Sequence, residues 1–173
     1  KTYPKYEYCV QYQESDFDFI QRLFQQEGIF YFFEHSNSNH TLVLADDITA
    51  YEVCNEGKVV FSTGHLSESH VSRWQGGLSI APGSFKRVGY DFKQPSRYPD
   101  GEQANAELPT QSVSEIFEYT GEQECHPRAA NLASVQLESL QRDMKLSSGR
   151  SDCRSFTVGK LFSFKKHEDP RLE

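Results

Sequence analysis

Residues 14–28, ESDFDFIQRLFQQEG, run directly into IFYFFEH at residues 29–35, and together they carry the clearest structural signal in the chain. Ser15 is a favourable N-cap, and the acidic residues of the first turn suit the positive end of a helix dipole. Apolar residues then recur at i, i+3 and i+4 spacing, and Gly28 supplies a left-handed stop. These features predict a helix over residues 15–27.

A second strand follows the first after a turn. The polar cluster HSNSN at residues 35–39 favours a turn, and HTLVLA at residues 40–45 has the composition of a strand. The two strands predict a hairpin over residues 29–45. Aromatic and polar residues alternate over residues 6–12, so a strand is expected there as well. Together these elements predict a small α+β lobe over residues 1–55.

Short strand-like segments separated by turn residues fill the rest of the chain. This spacing is typical of an antiparallel sheet or barrel. The polar stretch 93–111 contains three prolines and is expected to be a long surface loop. Apolar residues at helical spacing predict a helix over residues 127–145.

We therefore expect an antiparallel, split-barrel-like domain over residues 56–173, in a chain of α+β class that is mostly β. The strand candidates are residues 59–61, 71–75, 83–92, 112–119 and 153–164, the last turned at Gly159-Lys160.

The amino-acid composition limits the kinds of function that the chain can have. The chain has 173 residues, a net charge of −7 and no run of lysines or arginines, which disfavours a nucleic-acid partner. No apolar stretch approaches the ~20 residues that a membrane-spanning helix needs. The first residues lack the apolar stretch of a secretory signal. Aromatic residues make up 13% of the chain, which suits an ordered, strand-rich core.

The cysteines are widely separated and form no C-x-x-C pair. Zinc sites favour closely spaced ligand pairs, and a secreted disulfide scaffold is shorter and richer in cysteine. We therefore expect reduced, partly buried thiols and synthesis in a reducing compartment. The cysteines are Cys9, Cys54, Cys125 and Cys153.

Acidic residues could supply the paired carboxylates of a glycoside hydrolase, but helix capping and solvated charge explain them more simply. Glu27 differs from the others because it falls beside the apolar stripe of the first helix. It is expected to pair with Arg22 or another cation, or to cap backbone groups. The acidic residues of the first lobe are Glu14, Asp16, Asp18, Glu27 and Glu34.

No other sequence pattern predicts a catalytic site. The histidines lack the i, i+4 spacing with a nearby Glu that marks a catalytic zinc helix. Ser84 is not set in a G-x-S-x-G elbow, and no cysteine has an assignable base. We therefore predict no catalytic, cofactor-binding or metal-ligating residues and no cofactor. The histidines are His35, His40, His65, His70, His126 and His167.

Several motifs occur along the chain in the order of a known family. They are VQYQESD at residues 10–16, Phe19, Arg22-Leu23, Glu27-Gly28-Ile29, Phe33-Glu34-His35, HTLVLAD at residues 40–46, YDFKQP at residues 90–95, Phe117-Glu118-Tyr119 before Gly121, the helix over residues 129–143, and Gly159 before Leu161-Phe162. This set resembles the VgrG family, the spike proteins of type VI secretion, which are related in fold to the baseplate hub proteins of contractile-tailed phages.

The resemblance implies an internal fragment of a homotrimeric hub, whose split-barrel domains form a ring that continues an inner tube. The whole protein would lie at the tip of a contractile injection machine, where it would puncture the target membrane and deliver effectors. Its partners would be inner-tube rings, baseplate components and secreted effectors or adaptors. It would meet a membrane only within the assembled spike. It would be assembled in the bacterial cytoplasm and exported through the machine without a signal peptide, and this region would not be enzymatic.

Two other functions stay open from the residues alone. The acidic residues leave room for a cell-wall polysaccharide hydrolase associated with a phage-like tail. The long loop over residues 93–111 leaves room for a carrier module that binds effectors or adaptors.

Overall fold

The computed structural model describes residues 3, 5–64, 66–105, 114–120 and 126–165. Strands predominate in these residues, which confirms the predicted α+β, mostly β fold class. In chain order the elements are α1 (Asp16–Glu27), β1 (Phe30–His35), β2 (His40–Ala45), a 3₁₀ turn (Ile48–Ala50), β3 (Glu52–Phe61), β4 (His70–Leu78), β5 (Ser84–Val88), β6 (Asp100–Ala104), β7 (Glu115–Tyr119), α2 (His126–Gln141), β8 (Lys145–Ser151) and β9 (Lys160–Lys165).

The first helix and the hairpin confirm the prediction from residues 14–45. The Ser15 hydroxyl accepts a hydrogen bond from the backbone N–H of Asp18, which satisfies one of the free donors of the first turn. Gly28 ends the helix at φ 70° and donates its N–H to the carbonyl of Gln25. β1 and β2 then pair antiparallel from Phe30–Ala45 to His35–His40. Local signals were therefore sufficient for this part of the fold.

The sheets are mixed, whereas an antiparallel arrangement was predicted. One sheet has the strand order β8-β4-β3-β9, in which β3 runs parallel to both of its neighbours and β4 antiparallel to β8. A second sheet has the order β6-β5-β7, with β7 parallel to β5 and β6 antiparallel to it. Strand direction depends on which distant segment becomes the neighbour, and periodicity carries no information about that.

The described chain forms two compact units, and neither is continuous in sequence. Unit 1 comprises Lys1–Ile29 and Ser79–Met144, and unit 2 comprises Phe30–Leu78 and Lys145–Glu173. The predicted boundary between residues 55 and 56 falls inside β3, which is a single strand. This division differs from a lobe over 1–55 because α1 packs on α2, while the hairpin belongs with the four-stranded sheet's unit.

The core of unit 1 lies between α2 and the three-stranded sheet. Phe85 of β5 packs with Ala133 and Leu137 of α2, and Ile116 closes the cluster from β7. Gly101 of β6 lies so close to the carbonyl of Ala129 that a Cβ there would overlap it. The absence of a side chain at Gly101 therefore lets the backbones of α2 and β6 approach closely.

The core of unit 2 is built from rings. Val59, Val71, Cys153 and Phe164 are buried together, with further aromatic side chains packed around them. The Trp74 and Phe164 rings meet edge to face at a centroid distance of 5.0 Å. Edge-to-face geometry adds to the free energy of apolar burial. The partly buried residues at this core are Phe61, Trp74, Phe156 and Phe162.

Several predicted elements differ from the structure. Residues 6–12 are not a strand, because Tyr6 turns towards α1 and no neighbouring strand pairs with this segment in the described residues. The loop expected over 93–111 contains β6, whose polar residues pair with β5 on the surface. The helix predicted over 127–145 ends at Gln141, and β8 begins at Lys145. Residues 153–159 are not a strand, and Lys160, which was predicted to lie in a turn with Gly159, is the first residue of β9. Residues 106–111 lie outside the described chain.

Candidate functional site

The most unusual polar group of unit 1 is a buried carboxylate. Glu27, the last residue of α1, is only 6% exposed. Arg128 at the start of α2 donates to its Oε1 at 2.7 Å, and the Tyr6 hydroxyl donates to the same oxygen at 2.5 Å. The Arg128 guanidinium also lies over the Tyr6 ring at 4.2 Å. We refer to these three residues, Tyr6, Glu27 and Arg128, as the Glu27 cluster.

Burial and hydrogen bonding change the acidity of the phenol. Removal from water and the hydrogen bond to Glu27, with Arg128 opposing both, together raise the pKa of Tyr6 to about 12. The Tyr6 proton is therefore retained throughout the neutral range. The Nε of Arg128 is buried and has no hydrogen-bond partner among the described residues.

The Glu27 cluster joins three segments that are remote in sequence. A buried carboxylate without a partner is costly, and the hydrogen bonds from the Arg128 cation and the Tyr6 hydroxyl offset that cost. The expectation of a cation for Glu27 is confirmed, although the cation is Arg128 and not Arg22. Sequence reasoning missed Tyr6 and Arg128, and the position of Glu27 on an apolar stripe was the only signal for the cluster.

The other acidic residues of the first lobe also meet partners. Arg22 donates to both oxygens of Glu14, at 2.6 Å and 3.2 Å, and this hydrogen bonding lowers the pKa of that carboxyl. A general acid needs a raised pKa, so the environment of Glu14 acts in the wrong direction. The remaining contacts are Gln11 to Asp16 at 2.8 Å, Ser15 to Asp18 at 2.7 Å, and Lys160 to Glu34 at 3.5 Å.

Two histidines meet at the end of the hairpin. His35 and His40 are directly opposite in the β1–β2 register, and their Nδ1 atoms are 2.6 Å apart. In this contact one imidazole nitrogen donates and the other accepts. In the part of the chain that the structure describes, no group of three or more His, Cys, Asp or Glu side chains could hold a metal ion.

The remaining candidate residues do not converge. His70 lies 3.5 Å from Asp152, and its backbone N–H donates to the same carboxylate at 2.7 Å. Cys54 and Cys153 are buried free thiols, and burial raises the pKa of Cys153. Cys9 is also free but is exposed, which differs from the expected partial burial. His65, His167, Cys125 and the side chain of His126 lie outside the described residues.

The outer face of the β1–β2 hairpin is apolar and exposed. Tyr31, Phe33 and His35 alternate on β1 with the residues that pack inward, and their partners on β2 are Leu44, Leu42 and His40. On the opposite face, Phe32 and Ala45 are buried, and Phe32 is only 4% exposed. By contrast, Phe33, Leu42 and Leu44 are each about half exposed. We name this set of six residues the hairpin outer face; it offers a contact surface and no reactive centre.

Neither helix in the described ranges combines the length and the apolar character required to cross a membrane. The first is a short helix with a mixed surface, and the second packs on a sheet within unit 1.

Comparison with known sequences gives matches along the whole chain. Residues 1–173 match the family described as phage tail baseplate hub (GPD). The chain is 30% identical over 177 residues to the type VI secretion system spike protein VgrG1c of Pseudomonas aeruginosa, covering 100% of this chain and 24% of that protein. It is 33% identical over 174 residues to spike protein VgrG4b of the same organism, covering 99% of this chain and 21% of that protein.

A further relative is named as a toxin. The actin cross-linking toxin VgrG1 of Vibrio cholerae is 27% identical over 180 residues, covering 96% of this chain and 15% of that protein. The chain thus spans about a quarter or less of the length of these curated relatives.

Comparison with solved structures supports the fold. The 43 kDa tail protein of prophage MuSo2 from Shewanella oneidensis superposes with a TM-score of 0.61 at 13% sequence identity. The match covers 90% of this chain and 46% of that one.

Proposed function

The chain belongs to the phage tail baseplate hub family, and from that premise we propose that it is a structural part of a type VI secretion spike. In this role it forms part of a trimeric hub at the tip of a contractile injection machine. The observation that carries the proposal is the continuity of the similarity. Spike proteins of Pseudomonas aeruginosa match 94% to 100% of this chain.

The structure supports a role in contacts between proteins. The hairpin outer face presents large apolar side chains to solvent, and such faces in soluble proteins are commonly interfaces. Most of the length of the relatives lies outside this chain. We take the occupant of the hairpin outer face to be a neighbouring copy, since closed rings form through contacts between different surfaces of identical subunits.

The oligomeric state of the full-length protein tests this proposal. Light scattering after size-exclusion chromatography should give a trimer, and Phe33→Glu combined with Leu42→Glu should reduce the trimeric fraction strongly. Val158→Glu is the matched control, because Val158 is 79% exposed and lies in the same unit. A full-length wild-type protein that stays monomeric at assembly concentrations would rule out the hub role.

Secretion in the native bacterium provides a second test. Deletion of the gene should abolish release of the inner-tube protein into the medium, and the wild-type gene should restore it. The proposed route is assembly in the cytoplasm followed by export through the machine without a signal peptide. The intact N-terminus of the exported protein, read by mass spectrometry, checks that no leader is removed.

No catalytic step is assigned to this chain. The acidic residues that motivated a polysaccharide hydrolase meet the cations and caps described above, and the carboxyl of Glu14 has a lowered pKa. A peptidoglycan zymogram should therefore show no clearing. Clearing that disappears on Glu14→Gln or Glu34→Gln would instead establish the hydrolase alternative.

A further inference from the structure

The solvent face of the β4–β8 pair carries a polar groove. β4 and β8 pair antiparallel, with Arg73 opposite Arg150 and Gln75 opposite Ser148. Trp74, between the two β4 residues, packs into the core of unit 2, so its neighbours in sequence face outward. The groove has a volume of about 570 Å³. Its lining residues are Ser72, Arg73, Gln75, Ser148, Gly149 and Arg150.

Two like charges face each other in this groove. Side chains directly opposite on an antiparallel pair lie close together, and like charges in that position are destabilising. Among the described residues, neither Arg73 nor Arg150 forms an ion pair. The carboxylate nearest to Arg150 in sequence is Asp152, which is occupied by the backbone N–H and the imidazole of His70.

The other lining groups add hydrogen-bond donors. The Gln75 amide and the Ser148 hydroxyl can both donate, and each guanidinium presents a planar fork of N–H groups. The Ser72 hydroxyl donates to the carbonyl of Arg150 at 3.2 Å, which helps to fix the backbone of this edge strand. No carboxylate lines the groove. The net charge of the chain is −7, so this positive patch is local and not a general property of the surface.

We propose that the groove between Arg73 and Arg150 is an oxyanion-binding site, which takes a carboxylate or phosphate group between the two guanidinium forks. Arginine recognises both groups through paired hydrogen bonds, and an anion placed between the two cations removes their mutual repulsion. Two cations are too few for a nucleic-acid backbone, where many phosphates are neutralised together. The ligand is therefore a single oxyanion group, either free or carried by a larger molecule.

The test uses the full-length protein and isothermal titration calorimetry with two probes, inorganic phosphate and a glutamate-rich peptide. Saturable binding of one ligand per chain is expected for at least one probe. Arg73→Gln and Arg150→Gln should each weaken that binding by about tenfold or more, since each removes a charge-assisted contact. Arg97→Gln is the matched control, because this exposed residue lies in the other unit and should leave the affinity unchanged.

Thermal unfolding gives an independent readout. The bound probe should raise the Tm of the wild-type protein and leave the Tm of the Arg73→Gln, Arg150→Gln double variant unchanged. In chloride buffer alone, Arg150→Gln should unfold at the same temperature as the wild type or higher, because the repulsion is relieved. Circular dichroism checks that the variants are folded.

The two probes distinguish the possible ligands of the groove. Binding of phosphate alone identifies a phosphate ligand, and binding of the peptide alone identifies the carboxylates of an acidic protein segment; both support the site. Absence of saturable binding by either probe overturns the proposal. So does binding that persists in the double variant, or that is weakened equally by Arg97→Gln.

Discussion

Unit 1 and unit 2 hold their interiors together in different ways. In unit 1, Gly101 allows the backbone of β6 to lie close to α2, and buried charges such as Glu27 and Arg87 are paired. In unit 2, aromatic rings, several of them edge to face, pack around buried aliphatic side chains, and the ion pairs lie at the surface. Unit 1 therefore depends on a few specific contacts, whereas unit 2 depends on the amount of apolar surface that it buries.

The largest effect is expected from the rings of unit 2. Phe164→Ala should lower the free energy of unfolding by about 4 kcal/mol, because Phe164 is buried and touches three other rings. Phe164→Leu retains much of the apolar surface and should cost less than half as much. Urea denaturation followed by Trp74 fluorescence measures both. If the leucine variant were as unstable as the alanine variant, ring geometry and not buried area would control unit 2.

The Glu27 cluster tests the role of buried charge in unit 1. Glu27→Leu should cost about 3 kcal/mol, because it leaves the Arg128 guanidinium buried without its anion. Adding Arg128→Met should recover most of that loss, since apolar residues of similar volume can replace a buried ion pair. Urea denaturation followed by the helical circular dichroism signal, to which α1 and α2 of unit 1 contribute, gives both values. A double variant no more stable than the single one would mean that the pair acts through shape and not through charge.

The next largest loss of stability is expected where α2 and β6 approach each other closely. Gly101→Ala should cost about 2 kcal/mol, because its Cβ would overlap the carbonyl of Ala129 and force the backbones apart. Gly76→Ala is the control, since a Cβ there meets only the Ser147 hydroxyl at 3.8 Å. Comparison of the two Tm values measures the difference. Equal Tm values would show that unit 1 tolerates separation of α2 from β6 and does not depend on this specific contact.

The smallest effect is a dependence of stability on alkaline pH. Because the pKa of Tyr6 is raised from 10.0 to about 12, the folded state keeps its proton while the unfolded state loses it. The contribution is fully present below pH 10 and is lost as the pH rises towards 12. Tyr6 is partly exposed, so we expect a loss of only about 1 kcal/mol.

Tyr6→Phe is the matching control for the pH experiment. It should remove this part of the pH dependence while keeping the ring beneath Arg128. Unfolding free energies measured at pH 9 and at pH 11.5 make the comparison. A wild-type protein with the same slope as Tyr6→Phe would mean that the phenol is not protected by the Glu27 cluster.

The elements that could be predicted are those whose signals are local. Ser15, the apolar repeat and Gly28 lie within fourteen residues, and all act through hydrogen bonds of the helix itself. The fold class could also be predicted, because the residue composition of each strand is a local signal. The mixed sheets could not be predicted, because β3 meets β9 roughly a hundred residues later in the chain, at Glu52–Lys160 and Val53–Leu161.

The candidate sites show the same limit more sharply. The need of Glu27 for a cation could be read from its place on an apolar stripe, but its partner lies 101 residues away. Arg73 and Arg150 form a site only through the β4–β8 register. Nothing in the sequence distinguishes either arginine from the others, and only the pairing of β4 with β8 brings the two charges together.

The strand order β8-β4-β3-β9 has a consequence for how this protein is made. β3 and β4, the central strands of that sheet, leave the ribosome long before either outer strand exists. Unit 1 is complete in sequence once Met144 has been synthesised, whereas unit 2 still lacks two strands at that point. The nascent chain therefore carries unpaired strand edges until β8 and β9 have been synthesised, and during that interval it is exposed to aggregation and depends on chaperones.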